Sequence, residues 1–353
     1  MINWNKEVTD RLVELVSAPE NYSEYSIANM LSEEFELSIS RSAVNNKVRA
    51  LKDSGDLVEL LDKPRTELMP YYYKYADAYE EDIFPEKTFK LNPNQWSITI
   101  DKKYLKILYL GDLHMPFEVE SQVQTAINRN ATADVCVCAE ISDFYAISRF
   151  NKSMSVPLEI EIDRIVRFYE YVNSKFSKVF IINGNHGERV NRQVTGNLPS
   201  SLNMLIKTTN MLKFLARPFP NINVVDGWFF QINDLFCGHA ETFSKIDMRS
   251  GVNVYNWLTE WTGVFDFNPV RFIVQGHVHQ LGVSYRNDVK IVEAGCLSYI
   301  PDYSVEKFYG RPQVNGYVVV IQNDGLSDLN LSREYMFETP KYVPQIALTM
   351  EGR

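Results

Sequence analysis

The chain has 353 residues, 45% of them hydrophobic and 13% aromatic, and carries a formal net charge of −9. That length suits about one to three domains with a sizeable core, and the acidic balance excludes general attraction to polyanions, so any nucleic-acid contact has to come from a local basic strip. No apolar stretch reaches the roughly 18 residues of a membrane span, and Met1-Ile2-Asn3-Trp4 begins no signal peptide, which makes the cytoplasm the expected location.

Residues 1–62 read as a small all-α domain. Val8, Leu12, Leu15 and Val16 form one apolar stripe, and Tyr25, Ile27, Ala28, Met30 and Leu31 mark a second helix. Val44, Val48 and Leu51 mark a third, which begins after Ser40 as N-cap and stops at Gly55. Joined by a turn over residues 36–39, the last two resemble a helix-turn-helix unit. Its final helix is expected to present Arg41, Asn45, Lys47, Arg49 and Lys52 to solvent as nucleic-acid contacts. Eleven acidic against six basic side chains in residues 1–60 weigh against DNA, and a three-helix bundle can equally dock a protein or dimerise.

Residues 63–100 read as a connector. Pro64, Pro70, Pro85 and Pro93 break any long helix, and Tyr71-Tyr72-Tyr73-Lys74-Tyr75 offers aromatic faces for packing between domains or stacking on bases.

Residues 101–353 follow the pattern of one α/β domain. Short apolar runs of strand type cover 107–110, 135–138, 179–182, 234–237 and 272–275, and Leu158, Ile162, Ile165, Val166, Tyr169 and Val172 recur at helical spacing. Later runs at 283–285, 289–292 and 317–321 predict a second, antiparallel sheet. The expected fold class is thus α/β, a sandwich of two sheets flanked by helices. Cys136, Cys138, Cys237 and Cys296 lack CxxC spacing and read as reduced core residues.

Each of the first five runs ends in residues that carry chemistry. All five histidines of the chain stand in such contexts: His114 in Gly-Asp-Leu-His, His186 in Gly-Asn-His, His239 in Gly-His, and His277 and His279 in Gly-His-Val-His; the remaining run ends in Ala139-Glu140. Strand carboxyl ends in layered α/β proteins lie along one sheet edge, so these contexts are expected to meet in one pocket. Asp112 with His114, and His277 with His279, are spaced so that both members of each pair can face one ion, and Glu140, Asn185 and His239 add three further donors. Seven nitrogen and oxygen donors without a thiolate suit borderline or hard divalent ions. They exceed the needs of one tetrahedral site and match two ions sharing a carboxylate, an arrangement that generates hydroxide near neutral pH and clamps both oxygens of a phosphoryl transfer.

In order and spacing these motifs resemble the calcineurin-like metallophosphoesterase superfamily, whose signature runs Asp-x-His, Gly-Asp-x-x-Asp, Gly-Asn-His, a lone His and Gly-His-x-His. The match covers roughly residues 105–300, and the layout is similar to that of phage-encoded members, here with an N-terminal helix-turn-helix-like unit. The resemblance implies that Asp112, His114 and His279 hold a first ion, that Asn185, His239 and His277 hold a second, and that residue 140 bridges them. It further implies that His186 protonates the leaving oxygen and that Asp143 orients it, in keeping with the general rule that a carboxylate beside an imidazole favours the acid form. Manganese is the expected metal, with iron, zinc or nickel as others. The chain departs from the family in having Ala139-Glu140 for Gly-Asp; one added methylene could alter the metal spacing, leave a single ion, or leave the site poorly occupied. Arg189 is a candidate for non-bridging phosphate oxygens, with Arg149 and Arg192 behind it. Family members often dimerise, so a homodimer is also expected.

The function these expectations define is a two-metal phosphodiesterase hydrolysing nucleic acid, foremost a DNA nuclease brought to its substrate by the helical unit. A phosphatase or small-molecule phosphodiesterase would use the same ligands, and a DNA-binding or assembly protein with a degenerate metal site is the alternative from another class.

Overall fold

The computed structural model describes residues 4–17, 24–35, 37–54, 97–148, 156–187, 189, 208–225, 227–242, 244, 246–262, 267–306, 312–345 and 348. The chain divides into two compact units, Met1–Pro70 and Tyr71–Arg353. The tyrosine tract 71–75, Gly55, Arg149 and Arg192 lie outside the described residues, as does the side chain of Lys52.

In the first unit the apolar stripes close on one another. Helices α1 (Lys6–Ser17), α2 (Glu24–Glu34) and α3 (Arg41–Asp53) bury Val8, Leu12, Leu15, Ile27, Leu31, Val44 and Leu51 in a single small core. Three polar contacts fix the geometry. Ser32 Oγ donates to the Ala28 carbonyl at 2.6 Å and accepts the Ile39 N–H at 3.0 Å, tying the α2–α3 turn, and Arg11 reaches Glu34 at 2.8 Å. Ser40 caps α3 as expected, its Oγ accepting the Ala43 N–H at 3.3 Å. Arg41, Asn45 and Arg49 are exposed. Lys47 corrects the expectation: it is half-buried, with its ammonium 5.9 Å from the centre of the Trp4 ring.

The second unit is built on two sheets. The first runs β12 (Leu326–Ser327), β11 (Gly316–Asn323), β2 (Tyr104–Gly111), β3 (Val135–Ala139), β4 (Val179–Ile182) and β5 (Ile222–Val225), with β13 (Arg333–Met336) also on β11. The second runs β1 (Ser97–Ile98), β6 (Phe229–Ile232), β7 (Leu235–Gly238), β8 (Phe272–Gln275), β10 (Val289–Ala294) and β9 (Leu281–Arg286). Alternation along the strands assigns the layers. Ile107, Tyr109, Val135, Val137, Phe180 and Ile182 face the second sheet, where they meet Phe230, Leu235, Cys237, Phe272, Val274 and Val292. Leu108, Leu110, Cys136, Cys138, Val179 and Ile181 face the other way, onto α4 (Glu120–Arg129), α5 (Leu158–Lys175) and α6 (Thr208–Ala216). The outer face of the second sheet packs Phe229, Phe236, Ile273 and Ile291 against α7 (Arg249–Trp261). Burial on both faces explains why these strands read as continuous apolar runs.

Three expectations are corrected. The second sheet is mixed, since β7–β8 and β8–β10 are parallel whereas β6–β7 and β9–β10 are antiparallel. The run 317–321 belongs to the first sheet, as the antiparallel neighbour of β2. The end of the supposed connector is sheet, with Ser97 and Ile98 pairing in parallel with Gln231 and Ile232. All four cysteines are free and buried, as expected. Among the described residues no helix is long and apolar enough to cross a membrane.

Candidate metal centre

The five motifs do converge, but across two sheets. Asp112 and His114 follow β2, Glu140 follows β3, and Asn185 and His186 follow β4 of the first sheet; His239 follows β7, and His277 and His279 follow β8 of the second. Their strand ends point to the same side of the sandwich, and Tyr109 helps to lock the two edges together by donating from its hydroxyl to the Gly238 carbonyl at 2.8 Å.

Backbone conformation aims the side chains. Asp112, His114, Glu140, His277 and His279 all have positive φ, at 51°, 50°, 47°, 83° and 53°. Non-glycine residues rarely adopt this region, and its clustering here marks strain held by surrounding contacts at a functional site. Asp112, Leu113 and His114 are fastened to the end of β3 by N–H bonds to the carbonyls of Ala139 and Glu140. Asp112 and His114 therefore face the cavity while Leu113 enters the core.

At the centre Asp112 Oδ1 lies 2.9 Å from His239 Nε2, 3.3 Å from His279 Nε2 and 3.5 Å from His114 Nε2. His114 and His279 bring their Nε2 atoms to 3.0 Å, and His277 Nδ1 approaches Asn185 Oδ1 to 3.0 Å. The His277 N–H donates to Asp112 Oδ2 at 2.9 Å. Beside this group, Asp143 Oδ2 lies 3.3 Å from His186 Nδ1 and 3.5 Å from His114 Nδ1, close enough for attraction between charges but without hydrogen-bond alignment. Glu140 Oε2 accepts the His186 N–H at 2.7 Å.

Burial and proximity set the charges of these groups. Burial would raise the Asp112 carboxyl, but His239 and His279 hold it well below the ordinary range. Burial pushes His114 down to about 3, aided by His186, and His277 to about 3, aided by His239. For His239 burial is overcome by Asp112 and the imidazole is raised; His279 is raised against burial by Cys296 and Asp112. Glu140 is raised by burial, whereas Asp143 is lowered against burial by His186 and Arg189.

This donor set fits divalent metal. Asp112, His114 and His279 hold ligand atoms within 4.8 Å of one another, and His114 Nδ1, Glu140 Oε1 and His239 Nδ1 are buried without a hydrogen-bond partner. His114 and His277, whose basicity burial lowers, and the ionised Asp112 stand in the forms that ligate, whereas His239 and His279 would give up a proton on binding an ion. Gly184 and Gly276 make room for them. A β-carbon at 184 would meet Glu140 Oε2 at 2.1 Å and His239 Nδ1 at 2.6 Å, and one at 276 would meet Asp112 Oδ2 at 2.8 Å.

Arg189, expected to face phosphate, donates from Nη1 to the Asp143 carboxylate at 2.6 Å and carbonyl at 2.8 Å, with Nη2 3.1 Å from His186 Nε2. Sequence reasoning missed four further residues. Phe117, Tyr299 and Gln345 line the cavity together with His114, Asp143, His279 and Ser298, and Ser298 puts the Gly295–Ser298 loop at the rim as anticipated. Glu161 on α5, fully buried, accepts the Ala146 N–H at 3.0 Å and so anchors the turn that follows Asp143. A Glu amid the apolar stripe of a helix was the one signal available for it; nothing local marked Gln345.

The ordered motifs and the two-sheet fold together resemble the calcineurin-like metallophosphoesterases. No protein-family profile matches the sequence, and no curated relative matches it. Among solved structures, a hypothetical protein from Pyrococcus horikoshii OT3 is 9% identical, covering 72% of this chain and 94% of its own, at a TM-score of 0.40. A novel archaeal phosphodiesterase is 12% identical over 66% and 100%, at 0.34, and zinc-complexed Vps29 from Entamoeba histolytica is 12% identical over 66% and 100%, at 0.31. Likenesses at these scores add nothing to what the residues of the site establish.

Proposed function

We propose that this chain is a metal-dependent phosphodiesterase acting on nucleic acid, foremost a DNA nuclease. The observation that carries the reading is the convergence of Asp112, His114, Asn185, His239, His277 and His279, with Glu140 beside them, at strand ends from two sheets. In this reading Asp112, His114 and His279 hold one divalent ion, and Asn185, His239 and His277 hold another, manganese foremost. Bound there, such a pair supplies hydroxide near neutral pH and neutralises charge on the phosphoryl oxygens.

The chain's own residues do the rest. His186, steadied by Asp143 on its Nδ1 side, is the proton donor to the departing oxygen. Asp143 is in turn held by Arg189, whose guanidinium also meets phosphate when substrate enters. Phe117 and Tyr299 offer apolar walls that restrict water beside His114 and Asp143. Arg41, Asn45 and Arg49 on α3 supply the nucleic-acid contacts of the helical unit, in keeping with their exposure.

The deciding experiment supplies purified chain with Mn²⁺ and measures cleavage of bis-(p-nitrophenyl) phosphate and of linear and single-stranded DNA. Cleavage of both supports the proposal, and cleavage of the small diester alone favours a small-molecule phosphodiesterase. No turnover with Mn²⁺, Zn²⁺, Fe²⁺, Ni²⁺ or Mg²⁺, together with a shift of duplex DNA, makes the chain a binding protein.

A further inference from the structure

We infer that the cavity beside the candidate metal centre is a subsite for the departing nucleoside, walled by Phe117 and Tyr299 and read by the side chains of Ser298 and Gln345. This rests on the phosphodiesterase reading above and names the group that occupies its leaving side.

The cavity, about 210 Å³, opens beside His114, His279 and Asp143. His186, the proton donor of that reading, has its ring centre 4.4 Å from that of His114, so the cavity adjoins the place where the leaving oxygen is protonated. Its volume falls below the roughly 300–1,000 Å³ of pockets for drug-sized ligands, which leaves room for one small group and not for a run of nucleotides. No lysine or arginine lines it, and Asp143 brings a carboxylate, so a neutral occupant suits it better than a free phosphate.

Ser298 supplies one polar atom that the fold leaves unused. It is 1% exposed, and its Oγ has no hydrogen-bond partner. The backbone around it is fixed: its carbonyl accepts Gln313 Nε2 at 2.7 Å and Asn315 Nδ2 at 3.1 Å, and the next N–H, that of Tyr299, donates to the Phe117 carbonyl at 2.9 Å. A buried hydroxyl without a partner costs stability, a cost that a hydrogen-bonding ligand removes.

Gln345 reaches the same cavity from a segment distant in the chain. Its N–H donates to Asp302 Oδ1 at 3.0 Å, an oxygen that also accepts the Tyr342 hydroxyl at 3.1 Å. Its Oε1 accepts the Asp302 N–H at 3.4 Å, at the start of α8 (Asp302–Glu306). Three residues on, Leu348 packs against the cluster of Phe117, Tyr145 and Val156. Held at Asp302 and at Phe117, the segment keeps the Gln345 carboxamide at the cavity, with Nε2 unpartnered among the described residues. Ring faces for stacking, with an amide and a hydroxyl for the polar edge, are the means by which proteins hold a single base.

The test compares the full chain with its Gln345→Ala and Ser298→Ala variants. Hydrolysis of a thymidine dinucleotide and of bis-(p-nitrophenyl) phosphate is followed with Mn²⁺, and thymidine binding by transfer of saturation from protein to ligand in NMR. Each variant is expected to lower the ratio of kcat/KM for the dinucleotide to that for the nitrophenyl diester by roughly 3- to 10-fold, the worth of one hydrogen bond, and to do so mainly through KM. Thymidine binding is expected to weaken by the same factor. An unchanged ratio in both variants, or a wild type that does not bind thymidine, overturns the inference. A wild type that hydrolyses neither diester, yet binds thymidine in a manner that Q345A weakens, overturns the phosphodiesterase reading and leaves the nucleoside subsite standing. Circular dichroism checks that each variant folds, and Gln345→Glu, which keeps an acceptor for the Asp302 N–H and removes the amide donor, replaces Q345A if that chain does not fold.

Discussion

Asp143 Oδ2 lies 3.3 Å from His186 Nδ1, with both residues almost wholly buried at the edge of the candidate ligand cluster. The same aspartate is gripped on its other oxygen by Arg189 at 2.6 Å, so its position beside the imidazole is determined from two sides. If His186 is the proton donor, His186→Ala should slow cleavage of bis-(p-nitrophenyl) phosphate by roughly 10²- to 10⁴-fold while bound manganese stays at the wild-type level. Asp143→Asn should lose less, because an amide can still hold the ring. Metal lost in proportion to activity in the His186 variant would show that the ring ligates instead.

Gly184 is the position where a single methyl group reaches farthest into the site. Gly184→Ala has to displace both the Glu140 carboxylate and the His239 ring, at 2.1 and 2.6 Å from the added carbon. Manganese affinity is expected to fall by roughly 10- to 100-fold, as for loss of groups that orient ligands, with the far-UV spectrum retained. Titration of the stripped variant measures this, and unchanged affinity would mean that the turn relaxes without moving either side chain.

Glu161 links stability to pH. Burial, aided by the Asp143 charge, raises its carboxyl from 4.5 to about 8. The folded chain then holds this proton more tightly than the unfolded chain, so the contribution of Glu161 to stability is fully present below about pH 4.5 and is lost as pH rises through about 8. Glu161→Gln keeps an acceptor for Ala146 without the charge. Relative to it, the melting temperature of the wild type should decline steadily across that window, leaving the variant ahead by about 3 °C or more at pH 8. Parallel profiles for the two proteins would rule the linkage out.

The helical unit makes a separate prediction. Arg41 and Arg49 are exposed on α3, whereas Lys47 packs over Trp4. Replacing both arginines by alanine should weaken duplex DNA binding and reduce the slope of log affinity against log salt by about 2, one for each phosphate no longer neutralised. Lys47→Ala should act mainly on the folding of the unit, by about 0.5–1 kcal/mol. An unaltered slope in the double arginine variant would turn the unit into a protein-docking module.

Much of this protein is written locally. Candidate ligand residues at strand ends, the N-cap at Ser40 and the apolar stripes of α1 to α3 are legible because a strand end, a cap and a helix face each depend on neighbours a few residues away. The chemistry was legible for the same reason: nitrogen and oxygen donors in those spacings have few other uses. What the sequence left open depends on contacts between residues far apart in the chain. Periodicity cannot say that β7 and β8 lie in a different sheet from β2, β3 and β4, because strands buried on both faces look alike whichever sheet they join. Nor can it say where the longer arm of Glu140 comes to rest, since that is decided by the space above Gly184 and by the N–H of His186, 46 residues away. The sequence by itself determined which groups this site contains; only the packing of one sheet edge against another decided which of them touch.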